Sequence, residues 1–198
     1  MAYGLIHHFP LKSHLMDVVQ CEFLNYGSSS YFIDNSYIYI NMGYLYASPA
    51  VYFSSDFTVT FWVKFISFPG GMSRIIDFGN GPASDNMIIT YSTNILGQPA
   101  LVIYLGGGAN NLMGNGIYTA GPWYYAAYSL TANVGRYYLN GTFVNSNGMP
   151  TPQNIVRTKC YIGKSNWGVD ALSDMYLRDL KIFNRALSAT EIVTDMWS

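Results

Sequence analysis

"DLKIFNRALSATEI", Asp179 to Ile192, joins the end of a β-strand to the start of a helix. Leu180 and Ile182 alternate with Lys181 and Phe183, the period of a strand with one buried face, so a last strand runs to about Phe183. Ser188 then stands three residues before Glu191. That is the spacing of a capping box, in which each side chain satisfies a backbone N–H left unpaired at a helix start. The pattern predicts a short helix from Ala189 to about Trp197, with Ile192, Val193 and Met196 on its buried side and Leu187 as a plug. So short a helix is marginal in water and must pack on the body of the protein to persist.

The rest of the chain reads as strands. In "DFTVTFWVKF" residues Phe57, Val59, Phe61, Val63 and Phe65 share one face, and Thr58, Thr60, Trp62 and Lys64 the other. "NMIITYS" (Asn86 to Ser92), "PALVIYLG" (Pro99 to Gly106) and "GPWYYAAYSL" (Gly121 to Leu130) are equally rich in branched and aromatic residues and bounded by Gly, Pro, Asn or Ser. Asn140-Gly141 falls between two alternating runs in "GRYYLNGTFVNS" and predicts a two-residue type I′ hairpin turn. Gly70-Gly71, Asn80-Gly81-Pro82, Gly106-Gly107-Gly108 and Gly148-Met149-Pro150 mark further turns. With no linker, charge block or repeat between them, residues 1–198 read as one domain.

Composition agrees: of 198 residues 50% are hydrophobic, 17% aromatic and only 11% charged, which suits pleated, half-buried surfaces. The net charge of -1, with basic residues scattered, lacks the footprint that nucleic-acid binding requires. No apolar run approaches the ~20 residues of a membrane helix, and the first residues lack the pattern of a secretory signal. Cys21 and Cys160 are read as two free buried thiols or as a single disulfide.

Taken in series, these stretches resemble the laminin-G-like, concanavalin A-like jelly roll, also seen in pentraxins. The resemblance runs through "GLIHHFPLKSHLMD" (Gly4 to Asp17), "FTVTFWVK" (Phe57 to Lys64), "WYYAAYSL" (Trp123 to Leu130) and "YYLNG" (Tyr137 to Gly141). It closes with "YIGKS" (Tyr161 to Ser165) and "LRDLKIFNRALSATEI" (Leu177 to Ile192). It implies an all-β fold, a two-sheet antiparallel sandwich with one short C-terminal helix. The chain departs from the family pattern at Tyr124-Tyr125, where a His often follows the Trp, and at Arg178-Asp179, where paired acids are frequent. Phe23 to Tyr46 matches less well.

The resemblance implies glycan or glycoprotein recognition on an extracellular or particle surface, and as one reading of the acids a calcium ion held at the rim by Asp17 and Asp179. The alternative for those acids is that Asp17 caps a turn and Asp179 pairs with Arg178 or Lys181. For a sugar, which needs aromatic faces with amide and backbone groups beside them, the candidates are Trp167, Asn110, Asn111 and Tyr104; Trp167 reads equally as a loop anchor. Trp62 and Trp123 are assigned to the packed sheets. Glycoside hydrolysis needs two carboxyls facing each other. The two glutamates, Glu22 and Glu191, lie far apart in sequence, and only Asp170 and Asp174 are closely spaced, in what reads as a loop. His7 and His8, adjacent on a strand, face opposite ways and do not share a metal. Asn140-Gly141-Thr142 is formally a glycosylation sequon, but the turn explains it. An enzyme is not expected; the second reading is a structural subunit, self-associating as a homo-oligomer or decorating a virus particle, filament or extracellular layer.

Overall fold

The computed structural model of the protein describes residues 2–115 and 118–198. The first strands are β1 (Leu5–Phe9), β2 (Asn25–Ile33), β3 (Tyr37–Ala47) and β4 (Phe57–Phe65). A middle group follows: β5 (Arg74–Gly79), β6 (Met87–Thr90), β7 (Ala100–Leu105) and β8 (Gly108–Met113). The chain then forms β9 (Trp123–Thr131), β10 (Val134–Leu139), β11 (Thr142–Gly148), β12 (Lys159–Ile162) and β13 (Ser173–Phe183), and ends in α1 (Ala189–Met196).

All pairings are antiparallel, and one hydrogen-bonded path runs β11-β10-β9-β4-β13-β3-β12-β5-β6-β7-β8. Strand β3 carries this path from one layer to the other, since Ile38 to Asn41 pair with β13 whereas Leu45 to Ala47 pair with β12. The ends of the path also meet: Asn145 Nδ2 donates to the Met113 carbonyl and Asn147 Nδ2 to that of Asn111, both at 2.8 Å. The sandwich is thereby nearly closed into a barrel, which protects two strand edges that would otherwise be open.

Alternation decides what lies inside. Phe57, Val59, Phe61, Val63 and Phe65 of β4 enter one core with Leu177, Leu180 and Ile182 of β13 and with Leu101 and Ile103 of β7. Each such side chain contributes about 1.5–3 kcal/mol by leaving water. The Asn140-Gly141 turn has φ of 50° and 78°, the two positive values a type I′ hairpin requires. Tyr52, between β3 and β4, packs edge-on against Phe78 of β5, so aromatic contacts carry part of the core packing.

α1 packs on the outer side of the first layer, the one that holds β10, β9, β4 and β13. Ser188 accepts from the Glu191 amide while the Glu191 carboxylate accepts from the Ser188 amide, so the capping box is formed at both ends. Ile192 is fully buried with Tyr125, Tyr138, Phe183 and Leu187, and Met196 packs against them. Val193 is instead 41% exposed. It leans over the Gly141 turn at the rim, where a Cβ on that glycine would come within 3.0 Å of it. Cys160 is buried and Cys21 exposed, and both thiols are free, which corrects the expectation that both would be buried. Burial pushes the Cys160 thiol up to about 12, leaving it unreactive at neutral pH. Among the described residues no helix is long and apolar enough to cross a membrane.

Candidate functional site

The second layer presents an outward face that the chain itself half covers. On β7, Leu101 and Ile103 enter the core, so Ala100, Val102 and Tyr104 point away from it. Cross-strand pairing sets Ile88 of β6 and Asn111 of β8 beside Val102, and Met113 beside Ala100. The segment after β12 folds back over this face and lays Trp167 against Ile88, Ala100 and Val102. The Trp167 and Tyr104 rings lie 5.3 Å apart, tilted by 46°, and the Arg74 guanidinium sits 5.6 Å from the indole.

A buried polar cluster holds that segment. Asp77 on β5 is fully buried; it accepts from the Asn166 amide at 2.9 Å, from Asn166 Nδ2 at 2.8 Å and from Asn86 Nδ2 at 2.7 Å. Burial raises the Asp77 carboxyl above its ordinary range, and the bonds from Asn166 and Asn86 with the nearby Arg74 charge oppose the rise. Asp170 takes Arg74 Nη2 at 3.2 Å and Ser165 Oγ at 2.7 Å, and Ser165 Oγ accepts the Trp167 amide at 3.0 Å. Trp167 is therefore fixed through its neighbours on both sides, the kind of support that pre-organises a binding residue.

Beside the pair lies an open groove of about 360 Å³. Ala100 and Val102 form its floor, Ile95 and Met113 add apolar wall, and Asn94, Gln98 and Asn111 supply amides. The same two floor residues belong to the cluster on which Trp167 and Tyr104 pack, so the aromatic pair stands next to the groove, though neither ring lines it. Asn94 and Asn111 are exposed and Gln98 half-buried, with Gln98 Oε1 taking the Thr93 hydroxyl at 2.6 Å. An apolar floor, an aromatic pair and convergent amides can hold a ligand that has both an apolar face and hydroxyl groups.

Of the residues singled out in the sequence, Trp167, Tyr104 and Asn111 come together here. Asn110 does not, because it precedes Asn111 on β8 and faces the core side, where its Nδ2 reaches the Ile103 carbonyl at 3.4 Å. Asp17 and Asp179 lie elsewhere. Asp17 is fully buried and takes His7 Nδ1 at 2.6 Å and the His8 and Val19 amides at 3.0 and 2.9 Å, so it caps a turn. Burial would raise its pKa, but those bonds outweigh it and the carboxyl titrates below its ordinary range. Asp179 faces Lys12 Nζ at 3.1 Å and His8 Nε2 at 3.5 Å, its partners being these and not Arg178 or Lys181. A calcium ion needs free oxygen ligands, and carboxylates already taken by N–H donors and an ammonium group do not fit it. His7 and His8 do face apart, each to its own aspartate.

The closely spaced acids are likewise engaged separately. Asp170 serves Arg74 and Ser165, while Asp174, which belongs to β13 and not to a loop, accepts from Tyr39 Oη and Ser67 Oγ. A further hollow of about 280 Å³ lies between α1 and Tyr3, but its Arg185 and Glu191 pair with each other. Sequence reading missed Asp77, Asn86 and Asn166. Nothing local distinguishes them, since the bonds that give them a role span 9 and 89 residues.

The family model described as the concanavalin A-like lectin/glucanases superfamily matches residues 39–193. The chain belongs to this superfamily. The match begins inside β3, so the resemblance drawn from Gly4 to Asp17 and most of the weaker stretch from Phe23 to Tyr46 lie outside it. No curated protein sequence matches the chain. Solved structures with the concanavalin A-like fold include domain 4 of AbnA, a GH43 extracellular arabinanase from Geobacillus stearothermophilus, in complex with arabinotriose. It has a TM-score of 0.79 at 16% identity, covering 96% of this chain and 97% of that one. The binding domain of botulinum neurotoxin serotype G gives 0.78 at 17%, covering 98% of this chain and 50% of that one. Trypanosoma rangeli sialidase gives 0.74 at 18%, with 98% and 33%. The chain thus spans half of the toxin domain and a third of the sialidase, and the fold is shared by enzymes and binding domains alike.

Proposed function

We propose that this concanavalin A-like domain is a non-enzymatic binding module that recognises glycans, free or on glycoproteins, at an extracellular or particle surface. The observation that carries the reading is the Trp167–Tyr104 pair, with Trp167 held through its neighbours by Asp77 and Asp170, next to a groove with exposed amides. Aromatic faces pack against the apolar side of a sugar ring, and Asn94 and Asn111 are placed to bond its hydroxyls. The arabinotriose complex of AbnA domain 4, which matches this chain nearly end to end, and the neurotoxin binding domain support a binding role. The separate engagement of Asp170 and Asp174 supports a role without hydrolysis.

Isothermal titration with a panel of neutral oligosaccharides, arabinotriose among them, tests the reading. Trp167→Ala is expected to weaken binding about tenfold or more, the size of about 1.4 kcal/mol, and Asn111→Ala by a few-fold, with near-UV circular dichroism retained. Unchanged affinity in a folded Trp167→Ala protein would remove the groove from consideration.

A further inference from the structure

The outer face of the other layer carries a row of aromatic rings that the groove does not use. Across β2, β3 and β13, Tyr31 lies 5.4 Å from Tyr39, Tyr39 lies 4.7 Å from Tyr176, and Tyr176 lies 4.8 Å from Tyr37. Tyr37 in turn lies 5.3 Å from Trp123 of β9. From β2 to β9 the row crosses four inter-strand spacings, about 19 Å. Trp62 and Trp123 belong to packed strands as expected, but on this outward side, half-buried.

Two cations are set into the row. Lys64 Nζ stands 5.6 Å from the Tyr176 ring, and the Arg178 guanidinium lies 5.2 Å from both Trp62 and Trp123. Among the described residues neither has a carboxylate partner, and Arg178 Nε is buried with no hydrogen bond. The neighbouring Asp174 is taken by the Tyr39 and Ser67 hydroxyls. A guanidinium stacked between two indoles is held in place and keeps N–H groups for an acid that the fold does not supply.

We propose that this row binds an acidic polysaccharide, its sugar rings on the tyrosine and tryptophan faces and its carboxylate or sulfate groups at Arg178 and Lys64. The surface is made of rings bearing hydroxyl and indole groups with cations among them, and not of the apolar anchors on which protein partners concentrate binding energy. A single-stranded nucleic acid would also stack on such rings, but one phosphate per nucleotide asks for a longer track of positive charge than two residues provide. A chain with a charge on some of its sugars matches two cations in a row of rings. This surface is separate from the groove, and its ligand differs by charge.

Affinity electrophoresis through gels containing half-methyl-esterified polygalacturonate, its fully methyl-esterified form, sparsely sulfated dextran or dextran tests it. Retardation is expected in at least one of the two acidic polymers and in neither neutral one, and it is expected to fade with added salt. Lys64→Ala and Arg178→Gln should each weaken it about fivefold or more and together abolish it, while Trp167→Ala should leave it intact, so this site and the groove fail or stand independently. Lys64 is partly exposed, so its variant keeps the test open if Arg178→Gln does not fold. Equal retardation by the neutral polymers, full retardation of the double variant, or no retardation of folded wild type in either acidic polymer would overturn the proposal. Stronger retention by oligothymidylate would assign the row to nucleic acid instead, and a wild-type dimer split by Lys64→Glu would assign it to a second copy of the chain.

Discussion

The outward side of β4, β9 and β13 is treated in two ways along one set of strands. Toward Phe183, α1 covers it and Asp195 gathers the polar groups beneath the helix: it takes Lys181 Nζ at 2.9 Å, Thr60 Oγ1 at 2.8 Å and Tyr125 Oη at 2.7 Å. Toward Tyr176 no element among the described residues is laid over it, and Lys64 and Arg178 lie on aromatic rings with no carboxylate partner among those residues, the neighbouring Asp174 being taken by hydroxyls. Alternation alone produces both halves, because it only decides that a residue points outward. A covered half must satisfy its charges internally, whereas a bare half can leave them for a ligand. Unmatched cations thus separate a binding face from a structural one more clearly than aromatic content does, since both halves contain rings.

Substitutions should separate the halves by size of effect. The largest is expected for Asp195→Ala, which strands the 5%-exposed Lys181 without its acid; a loss of about 3–5 kcal/mol should appear in urea unfolding, and a loss below about 1 kcal/mol would mean that α1 is not held by this cluster. Ser188→Ala removes the helix cap and should cost about 1 kcal/mol in the same measurement. Glu191 gives a pH signature: its bond from Arg185 comes first, followed by those from Ser188, and together they lower its pKa from 4.5 to about 2. A carboxyl depressed in the folded state contributes stability that is present above the unfolded value and lost as pH falls through the folded one. The gap in melting temperature between wild type and Glu191→Gln should therefore be widest above pH 4.5 and close as pH approaches 2, modestly because the pair is partly exposed. The smallest effect belongs to the bare half, where Lys64→Ala should change stability by less than about 0.5 kcal/mol because it loses only a partly exposed ring contact and no acid.

Local chemistry made the last strand, the capping box and the Asn140-Gly141 turn readable, since each is decided by residues a few positions apart. Val193 shows where that stops: helical spacing puts it near Ile192, but the rim of the sheet lies beside it and not the core. The sequence places Asn110 and Asn111 on a loop or a sheet face without deciding which. Once Gly106-Gly107 is seen to turn β7 into β8, alternation sends the two amides to opposite faces. The Trp167–Tyr104 pair was half legible, as the ring types stood out but the clamp of Asp77, Asn86, Asn166 and Asp170 exists only through long-range pairing. The cationic row was not legible at all. Arg178 stood out in sequence only as a departure from the acids of the calcium pattern, and its role follows from Trp62 and Trp123 on either side across β4 and β9.

One glycan array, probed in parallel with wild type, Trp167→Ala and the Lys64→Ala/Arg178→Gln double variant, tests glycan recognition most directly. Wild type should bind a selective set of glycans, with neutral ones lost in Trp167→Ala, acidic ones lost in the double variant, and neither set altered by a calcium chelator. A blank array with folded wild-type protein, or one pattern shared by all three proteins, would contradict glycan recognition at these two surfaces.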